Sequence, residues 1–287
     1  MERIEYKAYA KVNIGLDITG KKEDDYHLLR TVMQTVNLYD EIIVSRRPKG
    51  IMLRTDRPFL PNDERNLAFK AARFVSQKYK QVKGVDIEIK KHIPVGGGMA
   101  GGSTDAAAVI QALDRLFSLH MQQEEKDEIA LGIGADVPFC LRKGIYYAEG
   151  VGEKLNKLKA LPDMAVIICA PQFSVSTPWA YQAYDEEKEI EHPDMDALLS
   201  AIEAGDSAGI FRHMGNVLEP VVMKEHGQIA DLIQLLKNSG ADKALMSGSG
   251  STVFGLFSDR KAAQTACDTV RKEANGAEVF LTDFVKG

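Results

Sequence analysis

Residues 93–108 read IPVGGGMAGGSTDAAA, with five glycines in the seven positions 96–102. The segment before them alternates apolar Val85, Ile87 and Ile89 with charged residues, a pattern that predicts a half-buried strand. The segment after them repeats apolar residues at helical spacing and predicts a helix to about residue 119. Because a glycine inside a regular element costs roughly 0.5–1 kcal/mol relative to alanine, five of them between a strand and a helix require a compensating role.

A glycine loop in front of a helix suits an anion. The helix N-terminus offers unpaired backbone N–H groups and a partial positive charge, and glycines let the backbone bend around an anion without Cβ collisions. Ser103 and Thr104 add hydroxyls that can cap the helix, contact phosphate or contact a phosphate-bound Mg²⁺. The loop therefore predicts a phosphate site, with a plain tight turn as the alternative.

Two well-known phosphate motifs share features with these residues, and neither fits them in full. A Walker A loop requires lysine before the Ser/Thr, and here Gly102 stands directly before Ser103. Gly96, Gly98 and Gly101 satisfy G-x-G-x-x-G, but the segment about 20 residues on is helical and polar, where a dinucleotide fold has a second strand ending in an acidic residue. A dinucleotide-dependent oxidoreductase is therefore a distant second interpretation.

A second glycine loop, SGSGST, covers residues 247–252 and precedes the strand-like VFGLF. A hairpin turn and a ligand-binding loop explain these letters equally well. Two hydroxyl-rich glycine loops in separate halves of the chain fit a substrate held between them, which favours the second explanation.

Composition limits the class of protein. The 287 residues are 45% hydrophobic and 27% charged, with net charge −5 and pI near 5.8, so no general field attracts nucleic acid or anionic lipid. The three cysteines, Cys140, Cys169 and Cys267, are widely spaced and resemble neither a disulfide framework nor a zinc site. The charged N-terminus does not read as a signal peptide, and no apolar run reaches the ~18–20 residues that span a bilayer. We expect a cytoplasmic protein that binds neither nucleic acid nor membrane.

Strand and helix patterns predict an α+β protein of two lobes. The first half suggests an antiparallel sheet, with the initial strand interrupted at Ala10–Lys11. The second half suggests helices at about 176–187, 194–204, 207–224 and 226–239. The polar segment EKLNKLKALPD, residues 153–163, predicts the boundary between domains 1–155 and 156–287.

Three segments together resemble a known family. KAYAKVNIGLDI (7–18), PVGGGMAGGSTDAAA (94–108) and LMSGSGSTVFGLF (245–257) are similar to the three motifs of the GHMP small-molecule kinases, in the same order. The resemblance implies a two-lobed fold, with an N-terminal ATP-binding domain, a C-terminal α/β domain and a deep cleft between them. It also implies ATP and Mg²⁺, although no metal ligands can be assigned.

Further segments resemble one branch of that family: DDYHLLRTVMQTVNLYDEI (24–42), IGADVPFCL (133–141) and AEGVGE (148–153). This branch phosphorylates the tertiary hydroxyl of a cytidine diphosphate methylerythritol in the non-mevalonate pathway of isoprenoid biosynthesis. Kinases of homoserine, mevalonate or a sugar are the nearest alternatives, and a catalytically silent ligand sensor is another. The sequence does not distinguish a monomer from a homodimer.

The resemblance assigns roles to individual residues. It implies that Asp136 is the catalytic base and Lys11 its cationic partner, whereas from the residues alone Asp136 could simply start a turn. Asn13 shares a strand face with Lys11 and could hydrogen-bond the substrate. The ATP site would comprise Pro94, Val95, Gly96, Gly97, Gly98, Met99, Ala100, Gly101, Gly102, Ser103 and Thr104.

The resemblance also implies substrate contacts away from the glycine loop. Tyr26 and His27 stand where the family recognises the cytosine ring, and Tyr181 is the facing aromatic, with Trp179 as its rival. Loop residues Ser247, Gly248, Ser249 and Gly250 complete the predicted substrate site.

Overall fold

The computed structural model describes residues 2–23 and 25–287. Asp24, in the DDYHLLR motif, lies outside these residues. Eleven strands are found in the described chain: β1 Arg3–Lys21, β2 His27–Arg46, β3 Gly50–Thr55, β4 Gly84–Lys90, β5 Ile145–Gly150, β6 Lys154–Lys157, β7 Ala165–Ala170, β8 Gly215–Asn216, β9 Lys243–Met246, β10 Val253–Phe257 and β11 Glu278–Asp283. The helices of the same residues are α1 Leu67–Lys78, α2 Gly101–Phe117, α3 Gln123–Ile133, α4 Val137–Cys140, α5 Thr177–Glu186, α6 Met195–Ala204, α7 Ser207–His213, α8 Glu219–Glu225, α9 Gly227–Asn238 and α10 Arg260–Glu273.

The chain forms two compact units, and each contains segments that are distant in sequence. The first consists of Met1–Ala10, Leu38–Ile93 and Ala100–Lys143. In it β3 runs parallel to β4, and β4 runs antiparallel to the second half of β2. Helices α1 and α2 bury their apolar faces in one core with these strands, where Val75, Ile89 and Leu113 are fully enclosed. This core supports the entry to the glycine loop and the helix that follows it.

The second unit consists of Lys11–Asn37, Pro94–Met99 and Gly144–Gly287. Its four-stranded antiparallel sheet has the order β11-β7-β10-β9, with α9 and α10 in the same core as its apolar side chains. The first half of β2 pairs with β5, and β8 runs parallel to β1 through Gly15 and Leu16. The tip of the glycine loop and the serine-glycine loop after β9 both belong to this unit.

The predicted α+β class is confirmed, while three local predictions are wrong. Strand β1 is continuous from Arg3 to Lys21 and has no break at Ala10–Lys11. The N-terminal strands are not all antiparallel, since β3 and β4 are parallel. The single helix predicted at 207–224 is divided into α7 and α8 by the two-residue strand β8. Hydrogen bonding of Val217 to Leu16 of β1 overrides the helical pattern there.

The described residues contain no helix whose length and apolar character would allow it to cross a membrane. The predicted domain boundary at 155/156 stays a prediction, because the compact units follow contacts rather than chain order.

Candidate active site

The tip of the glycine loop is held in left-handed backbone geometry. Gly96 has φ 71° and Gly98 has φ 74°, values that disfavour any side chain. Space is also limiting, because a Cβ on Gly98 would lie 2.2 Å from the carbonyl oxygen of Ser247. The loop therefore needs glycine at position 98 both for its dihedral angle and for a close approach of two backbone segments.

Lys11 and Asn13 lie side by side on one face of β1, and each side chain is only 4% exposed. The Lys11 ammonium donates to Asn13 Oδ1 at 2.7 Å and to the carbonyl oxygen of Gly98 at 2.8 Å. Asn13 Nδ2 donates to Thr31 Oγ1 at 2.8 Å, and that hydroxyl donates to the carbonyl oxygen of Gly15. The third N–H of the Lys11 ammonium has no acceptor within the described residues, so it remains available to an anionic ligand.

The serine-glycine loop after β9 contacts the tip of the glycine loop. Ser247 Oγ donates to the carbonyl oxygen of Gly98 at 3.1 Å, and the Thr252 N–H donates to that of Gly97 at 3.2 Å. Ser249 shares a hydrogen bond of 2.8 Å with Thr177 at the start of α5. The structure thus brings together Lys11, Asn13, the tip of the glycine loop and the serine-glycine loop in one unit.

His27 and Tyr181 form an aromatic pair in the same unit. Their ring centroids are 4.7 Å apart at an interplanar angle of 29°. His27 Nε2 lies 2.7 Å from Asp185 Oδ1, and Lys21 Nζ lies 2.9 Å from the other carboxylate oxygen. Burial acts in the opposite direction, but these two hydrogen bonds lower the pKa of Asp185. An ionised Asp185 fixes the orientation of the His27 ring.

The other two aromatic candidates are placed differently. Trp179 contacts His226 edge to face, at 5.5 Å between ring centroids, whereas Tyr181 is the one stacked on His27. Tyr26 is 64% exposed. Of these aromatic side chains Tyr181 is therefore the one that stacks on His27, and its predicted role in binding cytosine stays a prediction.

Asp136 belongs to the first unit, immediately before the short helix α4. Its side chain is half-buried and does not cap the helix. Within the described residues its carboxylate has no hydrogen-bond or ion-pair partner. Asp136 does lie in the turn that starts α4, as the alternative interpretation expects, but its carboxylate takes no part in that turn, and its predicted role as base stays a prediction.

The first turn of α2 carries the remaining loop residues. Ala100 occupies the N-cap position with φ 58°, and no side chain caps the helix. Thr104 is buried, and its hydroxyl donates to the carbonyl oxygen of Tyr9 at 2.8 Å. Ser103 is half-buried, so its hydroxyl is more accessible than that of Thr104.

A buried charge cluster lies next to this turn and was missed from the sequence. Lys91 Nζ pairs with Asp40 and, at 2.7 Å, with Asp105 Oδ2. The second oxygen of Asp40 accepts the N–H groups of His92 and Ile93 at 2.6 and 2.8 Å. Burial raises the pKa of Asp105 to about 8, although Lys91 opposes the shift. The cluster ties the end of β4 to the first turn of α2, the two segments between which the glycine loop runs.

Family models match both halves of the chain. The model described as GHMP kinases N terminal domain matches residues 66–144, and the one described as GHMP kinases C terminal matches residues 196–276. The glycine loop between β4 and α2 lies within the first match, and the serine-glycine loop lies within the second. The fold and the site therefore define the class of this protein as a GHMP kinase.

Similar proteins narrow the class. A 4-diphosphocytidyl-2-C-methyl-D-erythritol kinase of Clostridium beijerinckii is 42% identical, over 96% of this chain and 98% of its own. That of Acetivibrio thermocellus is 40% identical, over 99% of this chain and 100% of its own. A crystal structure of 4-(cytidine 5'-diphospho)-2C-methyl-D-erythritol kinase is 31% identical, with a TM-score of 0.84 over 99% of this chain and 100% of that one. The chain belongs to the 4-diphosphocytidyl-2-C-methyl-D-erythritol kinases of the GHMP family.

The family predicted from the three motifs is thus confirmed, and the protein is a small-molecule kinase. A homoserine kinase from Cytophaga hutchinsonii has a TM-score of 0.81 over 100% of this chain and 95% of its own, at 20% identity. At that identity the likeness concerns the fold alone.

Proposed function

We propose that this chain transfers the terminal phosphoryl group of ATP to the tertiary 2-hydroxyl of 4-diphosphocytidyl-2-C-methyl-D-erythritol, a step of non-mevalonate isoprenoid biosynthesis. The identity to kinases named for this substrate supports the choice of acceptor. One observation carries the chemistry. The Lys11 ammonium is fixed by two hydrogen bonds against the tip of the glycine loop and retains one N–H for a ligand.

The proposed step needs a base and a cation. The substrate hydroxyl oxygen attacks the γ-phosphorus, the bond from that phosphorus to the bridging oxygen breaks, and ADP leaves. Asp136 accepts the hydroxyl proton, a role that suits a carboxylate with no partner in the described chain. Lys11 donates its free N–H to a phosphoryl oxygen and balances the charge during transfer.

The ATP phosphates would bind along residues 94–104. The glycines present backbone without side chains, and the N-terminus of the 17-residue helix α2 supplies N–H groups and positive potential. We propose that Mg²⁺ enters bound to ATP. The part of the chain that the structure describes holds no cluster of three or more His, Cys, Asp and Glu side chains that could hold a metal.

The acceptor would be recognised by the aromatic pair and the serine-glycine loop. The two rings stack on each other at 4.7 Å, which leaves no space for a base between them, so cytosine stacks on the outer face of the pair. Asp185 holds the His27 ring in place and Tyr26 flanks it. Residues 247–250 face the methylerythritol part. A cytoplasmic location belongs to the same proposal, supported by three free cysteines among the described residues.

The deciding experiment measures ADP formation with this substrate, homoserine, mevalonate and a hexose as acceptors. We expect turnover only with the first. Faster turnover of another alcohol would refute the proposed acceptor but would not affect the assignment to the GHMP kinase family.

The base is tested by Asp136→Asn, for which we expect a fall in kcat of about 10²–10⁴ fold with an unchanged fold. Asp231→Asn, the same chemical change on the exposed side of α9, is the matched control and should retain parental turnover. Near-parental turnover of folded Asp136→Asn would exclude Asp136 as the base.

A further inference from the structure

A buried corner at residues 216–219 separates β8 from α8 and is not part of the site described above. Asn216 lies in β8, and the following Val217 N–H donates to the carbonyl oxygen of Leu16 in β1 at 3.0 Å. Asn216, Val217 and Leu218 are at most 6% exposed. The corner is therefore built into the second unit and does not belong to a surface loop.

The Asn216 side chain uses both of its donor hydrogens on one neighbouring segment. Nδ2 donates to the carbonyl oxygen of Met246 at 2.9 Å and to that of Gly248 at 2.7 Å. Its Oδ1 accepts the Leu218 N–H at 3.0 Å. Met246 is the last residue of β9, and Gly248 is the second residue of the serine-glycine loop. A buried amide that makes three such hydrogen bonds fixes the loop relative to the corner.

Glu219 adds a third attachment from the same corner. Its Oε2 accepts the Met246 N–H at 2.6 Å. The N–H and the C=O of Met246 are thus both held by the corner, the first by Glu219 and the second by Asn216. The start of the serine-glycine loop is therefore held through both main-chain polar groups of Met246.

The loop held in this way lies against the Lys11 ammonium. A Cβ built on Gly248 would be 3.4 Å from Lys11 Nζ, 3.3 Å from Asn13 Oδ1 and 3.1 Å from the carbonyl oxygen of Gly98. Asn216 thus holds the Gly248 carbonyl, while the Cβ direction of the same residue points to Lys11. A shift of the loop by a few tenths of an ångström would change the surroundings of the ammonium directly.

We infer that Asn216 is a positioning residue for phosphoryl transfer, acting through the serine-glycine loop on Lys11 with Glu219 as its second anchor. The kinetic part of the inference rests on the proposed function. A purely local role would use only Oδ1, which caps the turn at Leu218. Asp at position 216 keeps that acceptor, removes both donors and sets an anion against two carbonyl oxygens, so it separates the two roles.

The test compares Asn216→Asp with Asn156→Asp, the same change at an exposed position in β6. Hydrogen–deuterium exchange of residues 246–252 is measured together with steady-state kinetics and thermal unfolding. We expect Asn216→Asp to accelerate exchange in this segment and to lower kcat by about ten- to a hundred-fold. The KM for ATP should change less than kcat, and Asn156→Asp should match the parental chain in all three measurements.

Unchanged exchange at 246–252 in folded Asn216→Asp would overturn the inference, as would parental kcat. If that variant does not fold, Glu219→Ala decides, with faster exchange expected at 246–252 and rescue by Glu219→Gln, which still accepts the Met246 N–H. Parental exchange in folded Glu219→Ala would then overturn the inference. A parental chain that fails to phosphorylate the cytidine substrate refutes the proposed function, while the exchange comparison still decides the positioning role.

Discussion

Replacing Gly98 by alanine tests whether the contact between the two glycine loops organises the site. The new Cβ would lie 2.2 Å from the Ser247 carbonyl oxygen and 3.0 Å from that of Gly250, where ordinary contact begins at 3.4 Å. The loops would have to separate by about 1.2 Å, the difference between 3.4 and 2.2 Å. Because the Gly98 carbonyl accepts Lys11 Nζ and Ser247 Oγ, the separation would break or lengthen both hydrogen bonds.

The expected cost has two parts. Left-handed backbone at φ 74° costs an alanine roughly 1–2 kcal/mol. Overpacking and the two weakened hydrogen bonds add roughly 1–3 kcal/mol, for a total of about 2–5 kcal/mol of unfolding free energy. Misplacement of Lys11 by about 1 Å predicts a loss of turnover near a hundred-fold.

Gly205→Ala is the matched control. Gly205 has φ 69° at the end of α6, and nothing lies within 4 Å of a Cβ built on it. This variant carries the strain without the clash, so we expect roughly 1–2 kcal/mol less stability and parental turnover. The assay is urea unfolding together with ADP release at saturating substrates. If Gly98→Ala lost only as much stability as Gly205→Ala and kept turnover within about threefold of the parental chain, the reasoning would be refuted.

Three further outcomes are expected. Lys11→Met should lower kcat by about 10²–10³ fold with little change in the KM for ATP, because it removes a donor used mainly during transfer. Initial rates measure both constants, and a rise in the KM for ATP with an unchanged kcat would contradict this. His27→Leu should raise the KM for the cytidine substrate by about ten-fold or more and leave that for ATP unchanged, and a reversed pattern would remove the cytosine site from this ring. Asp105→Asn tests the pH dependence of stability. Burial raises the pKa of Asp105 to about 8, with Lys91 opposing the shift and Asp40 adding to it. The folded chain therefore keeps a proton that the unfolded chain releases near pH 4. The parental chain should therefore lose unfolding free energy relative to Asp105→Asn as the pH rises from about 4 to about 8, and parallel urea-unfolding profiles would contradict this.

The local sequence was sufficient to predict the structure around the glycine loop, since its residues alone indicated a strand, a bend and the start of a helix. They failed at residues 207–224, where apolar spacing suits a helix and the competing partner, Leu16, is about 200 residues away in the chain. Asn216 was missed for the same reason. An asparagine inside a helical pattern gives no sign that its amide will meet the backbone of Met246 and Gly248.

The buried cluster around Lys91 escaped prediction because single charges are usually solvated. In KKHIPV the residue type does not distinguish Lys91 from Lys90, although the first is 4% exposed and the second is half-buried. Strand alternation would have pointed Lys91 inward, but the carboxylates that make this possible come from positions 40 and 105. The resemblance to a family supplied Lys11, Asp136 and His27, which no spacing rule would have selected.

The Gly98 carbonyl, on which Lys11 and Ser247 converge, is a main-chain group, and no point substitution can delete it. Substitutions of side chains therefore cannot remove the acceptor that holds Lys11 in the proposed transfer site. His27 on β2 and Tyr181 on α5, in contrast, can be replaced by substitution. A redesign for a new acceptor alcohol can vary that aromatic pair as an independent module. Such a redesign leaves the main-chain contacts of the proposed transfer site unchanged.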